Sequence, residues 1–456
     1  MQLSNPRPSP VGLRRSHAPR STFSPVLAPC LGGLLIATLA TTPALASGFA
    51  IFAHGSAAGG MGGAFVAQAD DPSAVVYNIG GIALEEGRDA ADQQVKEWSV
   101  TAGLAYSVLN ESLYQGLPSG IGAGTAAEQR DLDEILPQVY SVLPLTDRIR
   151  IGIGLHTPFL LETNWAQPES FAGRFVASSA NIIAYDLSVG AALQVTPNLG
   201  AGLGVIYRNA EIDLGYRLPV DDPVTGAPLD AAAIGVDGEL TAGFGFFGGV
   251  AHRINPRLSW GLSYRSAVEV DVDAVGNLTQ VFTGNPQLDD LVARTFPLGM
   301  DLASATTLEF PDELRVGAAF ALTPYWLIEG DVTLTGWSNF DAVVFDFPGE
   351  PLLDKRIDVG LDDSTTLHFG VQYTTRTSTK FRFGFAVDES PQDAASVGAF
   401  LADFDQNVYT LGFARDWLDI AFLWFDRSQR LVTNQIDGLD GNYRSNAWML
   451  SFSLSL

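Results

Sequence analysis

The 456-residue chain predicts an all-β protein: a transmembrane antiparallel β-barrel of about 14 strands with an N-terminal hatch, or plug, inside its lumen. Three observations carry this. Hydrophobic residues make up 46% of the chain, yet past residue 46 no apolar run of about 20 residues is available to cross a bilayer as a helix. Instead, apolar and aromatic residues alternate with small or polar ones over segments of about 10 residues, the period of a strand with one face in lipid. A Gly- and Ala-rich stretch of different texture precedes the first of these segments.

Residues 1–46 read as a cleaved secretory signal. Arg7, Arg14, Arg15 and Arg20 form a basic start without acidic residues, Val26 to Leu39 is apolar, and Ala44-Leu45-Ala46 is the small-x-small pattern of a cleavage site, with the cut expected after Ala46. Leu27-Ala28-Pro29-Cys30 is a poor lipoprotein box, because Pro29 stands where a small flexible residue is wanted. Arg14-Arg15 lacks the apolar residues that follow a twin-arginine pair. Without this segment the chain has 22 basic against 51 acidic residues, a formal charge of −29, and no cysteine. So acidic a surface repels nucleic acid, and disulfide or thiol chemistry is excluded.

Residues 47–90 form the expected hatch. Ser47 to Gly63 is rich in Gly and Ala, and Asp70-Asp71-Pro72-Ser73 is a helix start with Pro at the first helical position. Such small residues pack closely in a narrow space, and a lumen of this size leaks unless filled.

Residues 91–456 form the expected barrel. Trp98 to Tyr106, Arg148 to His156, Phe381 to Val387 and Met449 to Leu456 show the alternation clearly; the segments start near 97, 135, 148, 179, 199, 239, 258, 306, 325, 364, 379, 406, 417 and 445. Lipid offers a backbone no water, so such strands pair edge to edge until the sheet closes. Short turns at Thr196-Pro197-Asn198, Asn255-Pro256-Arg257 and Thr323-Pro324-Tyr325 are expected on the periplasmic side, and the longer acidic connections 215–238, 275–304 and 346–363 outside. A secreted β-sandwich or propeller shares the alternation but not the final apolar strand, which suits recognition by barrel-assembly machinery even with Leu456 in place of the usual Phe.

Ser47-Gly48-Phe49, Gly62-Gly63-Ala64-Phe65, Ala69-Asp70-Asp71-Pro72-Ser73 and Asn78-Ile79-Gly80-Gly81-Ile82-Ala83 form an ordered series. Further pieces follow in order: Phe171 to Phe175, Tyr264-Arg265-Ser266, Pro311 to Gly317, Gly336 to Phe340, and Gly384 to Pro391. In these pieces the chain resembles the long-chain fatty-acid and aromatic-hydrocarbon transporters of the Gram-negative outer membrane. The resemblance implies a multi-pass outer-membrane channel for hydrophobic molecules, which bind an apolar lumen pocket and leave sideways through a kinked strand when the hatch shifts. By the same resemblance Phe49 reaches into the pocket, Asn78-Ile79-Gly80 corresponds to the family's Asn-Pro-Ala beside the wall opening, and Lys355 lies near a lysine that meets the substrate carboxylate. Ile212-Asp213-Leu214 stands where the family has an arginine, which favours a neutral cargo. The implied partners are a fatty acid or aromatic hydrocarbon and outer-membrane lipid with its lipopolysaccharide; no cofactor is implied.

Other chemistry is weaker. His54, His156, His252 and His368 lack zinc-ligand spacing, so no metal and no catalytic residue is expected. Gly59-Gly60-Met61-Gly62-Gly63 lacks the strand-turn-helix context of a dinucleotide loop. Asp289-Asp290 and Asp362-Asp363 read as solvated loop charge, with cations bridging lipopolysaccharide as the alternative. A general porin or adhesin barrel should lack the hatch and line its lumen with charge, whereas few inward cations are expected here. A barrel hydrolase would need a Ser, His and polar orienter converging on the outer wall.

Overall fold

Strand-length alternation becomes a closed wall in a computed structural model that describes residues 48–84, 98–433 and 436–456. The expected signal with its cleavage position and Cys30, and residues 47 and 85–90 of the expected hatch, lie outside the described residues. The wall begins with β1 (Ser99–Gly116), β2 (Leu132–Pro144), β3 (Ile149–Asn164), β4 (Ser179–Thr196) and β5 (Leu199–Asp221). Three strands are each interrupted once: β6 (Pro228–Gly238, then Thr241–Asn255), β7 (Leu258–Arg265, then Val268–Gln280) and β8 (Asp301–Phe310, then Glu313–Thr323). The rest are β9 (Trp326–Thr335), β10 (Ser364–Thr374), β11 (Lys380–Asp388), β12 (Gln406–Arg415), β13 (Leu418–Arg427) and β14 (Gly441–Ser455).

Each strand pairs antiparallel with the next, and β14 returns to β1 from Thr101 opposite Ser455 to Gly116 opposite Gly441. Closure therefore comes from pairing alone. Alternation sets the two faces. Phe383, Leu411, Phe422, Leu450 and Tyr106 are successive partners across β11, β12, β13, β14 and β1. With Phe383, Leu411 and Phe422 all exposed, this row is an apolar outer face suited to lipid.

The short turns gather at one end, where Asn255 Oδ1 accepts from the Arg257 and Leu258 amides at 2.9 and 3.1 Å. At the other end the three long connections are ordered, contrary to a reading of them as acidic loops. Residues 215–238 are mostly wall, because β5 continues to Asp221 and β6 starts at Pro228 with Ile212, Leu214 and Tyr216 all turned inward and buried. Of the acids there, Asp237 is exposed beside buried Val236, whereas Asp230 is mostly buried and pairs with Arg174 at 2.8 Å. Residues 281–300 carry a helix, Pro286–Thr295, capped by Asn285. Asp289 is used locally, accepting from Thr283, and Asp290 pairs with Arg294. The third connection holds the strand Lys355–Asp358, which pairs with Ala342–Phe345 just before it, and Asp363 accepts from Ser338 at 2.6 Å. Phe345, Phe347 and Leu353 before β10, Phe171 from the β3–β4 connection, and Val397 and Phe400 from the β11–β12 connection are buried in one hydrophobic core with Tyr114, Tyr216 and Tyr443 of the wall.

Candidate functional site

Residues 48–84 supply most of the site. Their short helices α1 (Ser56–Gly60), α2 (Ala74–Tyr77) and α3 (Ile79–Ile82) are buried throughout. Hydrogen bonds tie the segment to the ring on opposite sides. The Gly55 amide donates to Gln138 of β2 at 2.6 Å, Ser56 bonds Ser451 and Ser453 of β14, Thr410 of β12 donates to Gly60 O, and His368 of β10 contacts Gly62 O at 2.9 Å. A segment bound by buried contacts to β2, β10, β12 and β14 lies against the inner face of the ring.

The strongest anchor is on β9. Asp331 Oδ2 accepts from the Phe65 and Val66 amides at 2.7 and 2.9 Å, and Glu329 Oε1 from those of Ala67 and Gln68 at 2.7 and 3.1 Å. Four successive amides that have no helix or sheet to join are thus satisfied by two buried acidic side chains. Close approach requires glycine here: Gly63 has φ 83°, and a Cβ on it would stand 2.6 Å from His368 Nδ1.

Phe49 sits at the far end of the segment, buried among aromatic rings. Its centroid is 4.8 Å from Trp337, 5.1 Å from Phe340 and 5.9 Å from Phe159 of β3. Arg208 of β5 lies over Phe159 and Phe310 at 4.7 and 5.0 Å. Its Nε and Nη2 hold both oxygens of Asp186 at 2.7 and 2.9 Å, and Arg265 Nη2 reaches the same acid at 3.2 Å. Two guanidiniums share one acid, and Nη1 of each is left without a hydrogen-bond partner. This corrects the expectation of an inner face poor in cations. Arg150, Arg208, Arg265 and Arg382 are all buried. Asp213, read as replacing an arginine, alternates with buried Ile212 and Leu214 and so points away from the lumen. Arg208, the residue directly after Tyr207, was the cation to find; strand period 2 counted back from Ile212 finds it.

The other expected site residues lie apart. Asn78 caps α3, its Nδ2 donating to Val66 O and to Val250 O of β6 at 2.9 and 3.0 Å. Ile79 packs towards Gly190 and Gly202, and a Cβ on Gly80 would meet backbone atoms of Gly200, Gly249 and Ala251 at 2.8–2.9 Å. These three residues therefore face β4, β5 and β6. Lys355, in the outer hairpin, donates to Phe175 O at 2.8 Å and lies 4.9 Å from the Tyr216 ring. Burial pushes its ammonium down to about 8, against the attraction of Asp437.

The wall opens between β2 and β3. β2 and β3 pair only between Val139–Pro144 and Arg150–Leu155. Above that ladder β2 stays with β1 and β3 with β4, whose register shifts between His156 and Phe159. Pro158, which has no N–H to donate, falls inside that shift. The freed edge of β3 is taken by the N-terminal segment, Ile51 N donating to Pro158 O at 2.8 Å and Leu160 N to Phe49 O at 3.1 Å. Gln129 bridges Trp165 and closes the top. The result is a window framed by residues 132–138 and 156–164. A cavity of about 140 Å³ lies behind it, lined by Phe49, Phe52, Leu132, Leu160, Phe425 and Met449 among others.

Comparison with known proteins agrees with this architecture. Residues 37–456 match the family model described as outer membrane protein transport protein (OMPP1/FadL/TodX). The chain is 25% identical over 303 residues to the long-chain fatty acid transport protein of Salmonella typhi, covering 62% of this chain and 68% of that one. The match to its Shigella flexneri counterpart is 24%, over 59% of this chain and 65% of that one. In fold it is similar to a Pseudomonas aeruginosa FadL homologue, TM-score 0.74 at 19% identity, covering 90% of this chain and 99% of the other. The Pseudomonas putida toluene transporter TodX gives 0.62 at 16% identity, covering 89% and 99%.

Proposed function

Because the chain belongs to the outer membrane transport proteins of the OMPP1/FadL/TodX type, we propose that it takes up small hydrophobic molecules, long-chain fatty acids or aromatic hydrocarbons, through an apolar lumen and out of its wall. The observation that carries this is the window between β2 and β3 with an apolar cavity behind it. Each methylene removed from water there contributes about 0.8 kcal/mol, so an oily lumen captures what a water-filled pore passes by.

In this reading residues 48–84 are the hatch. Phe49 and the strand it adds to β3 stand between the aromatic cluster and the window, and displacing them joins the two. Asn78, Ile79 and Gly80 fix the other end of the hatch, and Lys355 offers a partly desolvated cation near the outer connections. Relatives are named for fatty acid and for toluene, and the lumen offers both aromatic rings and cations.

The test is uptake by cells deleted of their own transporters of this class. Cells expressing this chain should accumulate labelled oleate or xylene faster than cells carrying an empty vector; equal rates for both probes would sink the reading. Lys355→Ala should slow oleate alone, and equal slowing of xylene would remove Lys355 from the carboxylate's path.

A further inference from the structure

The window carries charge that an oily exit does not require. Glu134 on β2 and Glu162 on β3 stand on its two sides, both half-buried and both lining the cavity behind it. Neither makes a hydrogen bond or ion pair among the described residues. Their positions follow from the bend in β3. On β2, Glu134 continues the inward series of Leu132, Leu136 and Gln138. On β3, Glu162 belongs to the outward series with Leu160 and Asn164, between buried Leu161 and Thr163. Once β3 leaves β2 and moves inward, its outward face becomes the back of the recess, which brings Glu162 to the same opening as Glu134.

The remaining polar lining lies elsewhere in the cavity. Arg427 is committed to Gln406 Oε1 at 3.1 Å and Ser445 Oγ at 2.8 Å, and Ser107 completes the set. The cavity thus holds a cation on the β12–β14 side and two acids at the way out. A carboxylate in it is attracted inward and opposed at the frame, where the nearby lipid leaves little water to screen the opposition. A molecule without charge meets only the apolar lining.

We propose that Glu134 and Glu162 are specificity-determining residues that make the window selective for uncharged hydrophobic cargo and slow the passage of carboxylates. The proposal rests on the transport reading above and adds the head-group class.

The test compares oleate with oleyl alcohol, which share a chain and differ in the head group, as initial uptake by the deleted cells. The wild-type protein should pass the alcohol faster than oleate. Glu134→Gln with Glu162→Gln should raise oleate uptake on the order of tenfold and leave the alcohol unchanged, while Glu134→Asp with Glu162→Asp keeps the discrimination. Unchanged oleate uptake at equal surface abundance overturns the proposal. So does an equal rise for both probes, which means a wider window rather than an uncharged one. If the double variant fails to reach the membrane, Glu162→Gln alone should show a smaller rise in oleate uptake, and none overturns it. Wild-type uptake of neither probe above vector cells instead removes the transport reading.

Discussion

Asp331 and Glu329 show how much a pair of residues can hold. Their acceptors serve four consecutive amides of residues 65–68, and leaving a buried donor unpaired costs about 1–3 kcal/mol. Asp331→Ala combined with Glu329→Ala should therefore release residues 65–68 locally while the ring stays closed. Hydrogen exchange at those amides should rise at least tenfold, with β-sheet protection unchanged; protection retained at residues 65–68 would show that the anchor lies elsewhere. Asp403, in the outer connection before β12, is a residue through which pH acts. Ser390 Oγ donates to it at 2.8 Å, and burial raises its carboxyl from 3.8 to about 7. The folded connection therefore binds the proton more tightly than the open one. Its contribution to stability is full below pH 3.8 and is lost as pH rises through 7. Proteolysis within 390–405 should be faster at pH 8 than at pH 5, and Asp403→Asn should flatten that difference. At this scale the amino-acid order was least informative. Asp186 meets Arg208 and Arg265 from 22 and 79 residues away, and no local pattern encodes such a meeting.

At the scale of elements, strands were legible because burial on one face imposes period 2. The expected starts at 179, 199, 258, 364 and 406 coincide with β4, β5, the first part of β7, β10 and β12. The expected start at 306 falls within the first part of β8, where Pro311 and Asp312 interrupt an otherwise alternating strand. The window was not legible as a place, although Pro158 within an apolar strand was its signal. A strand's exit from a sheet depends on what replaces its partner, and here that is Phe49 to Ile51, more than 100 residues earlier. Docking of α3 is a further element-scale property. Gly80→Val places a side chain into the backbone of β5 and β6 and should displace residues 78–84 without opening the ring. Faster exchange confined to that stretch is the expected result; an unperturbed α3 would show that the wall yields there.

For the whole molecule, the outward rows decide where the protein can reside. Leu411 pairs with Phe383 and Phe422 in the lipid-facing row, and a charge near the middle of such a row costs about 2–4 kcal/mol. Leu411→Arg should lower the urea midpoint of unfolding in lipid vesicles, while Leu411→Phe should not. An arginine tolerated without loss would place this row outside the hydrocarbon. The composition pointed to such a band because it combined a high apolar content with no helix-length apolar run. The location of the seam has a consequence in time. Residues 99–116 are joined to residues 441–455 around a segment that comes before both. Biogenesis thus has an order written into it: either residues 48–84 are gathered between the two end strands before these meet, or they are drawn afterwards through a finished mouth. In both cases the placing of residues 48–84 is an event of assembly as well as a property of its product.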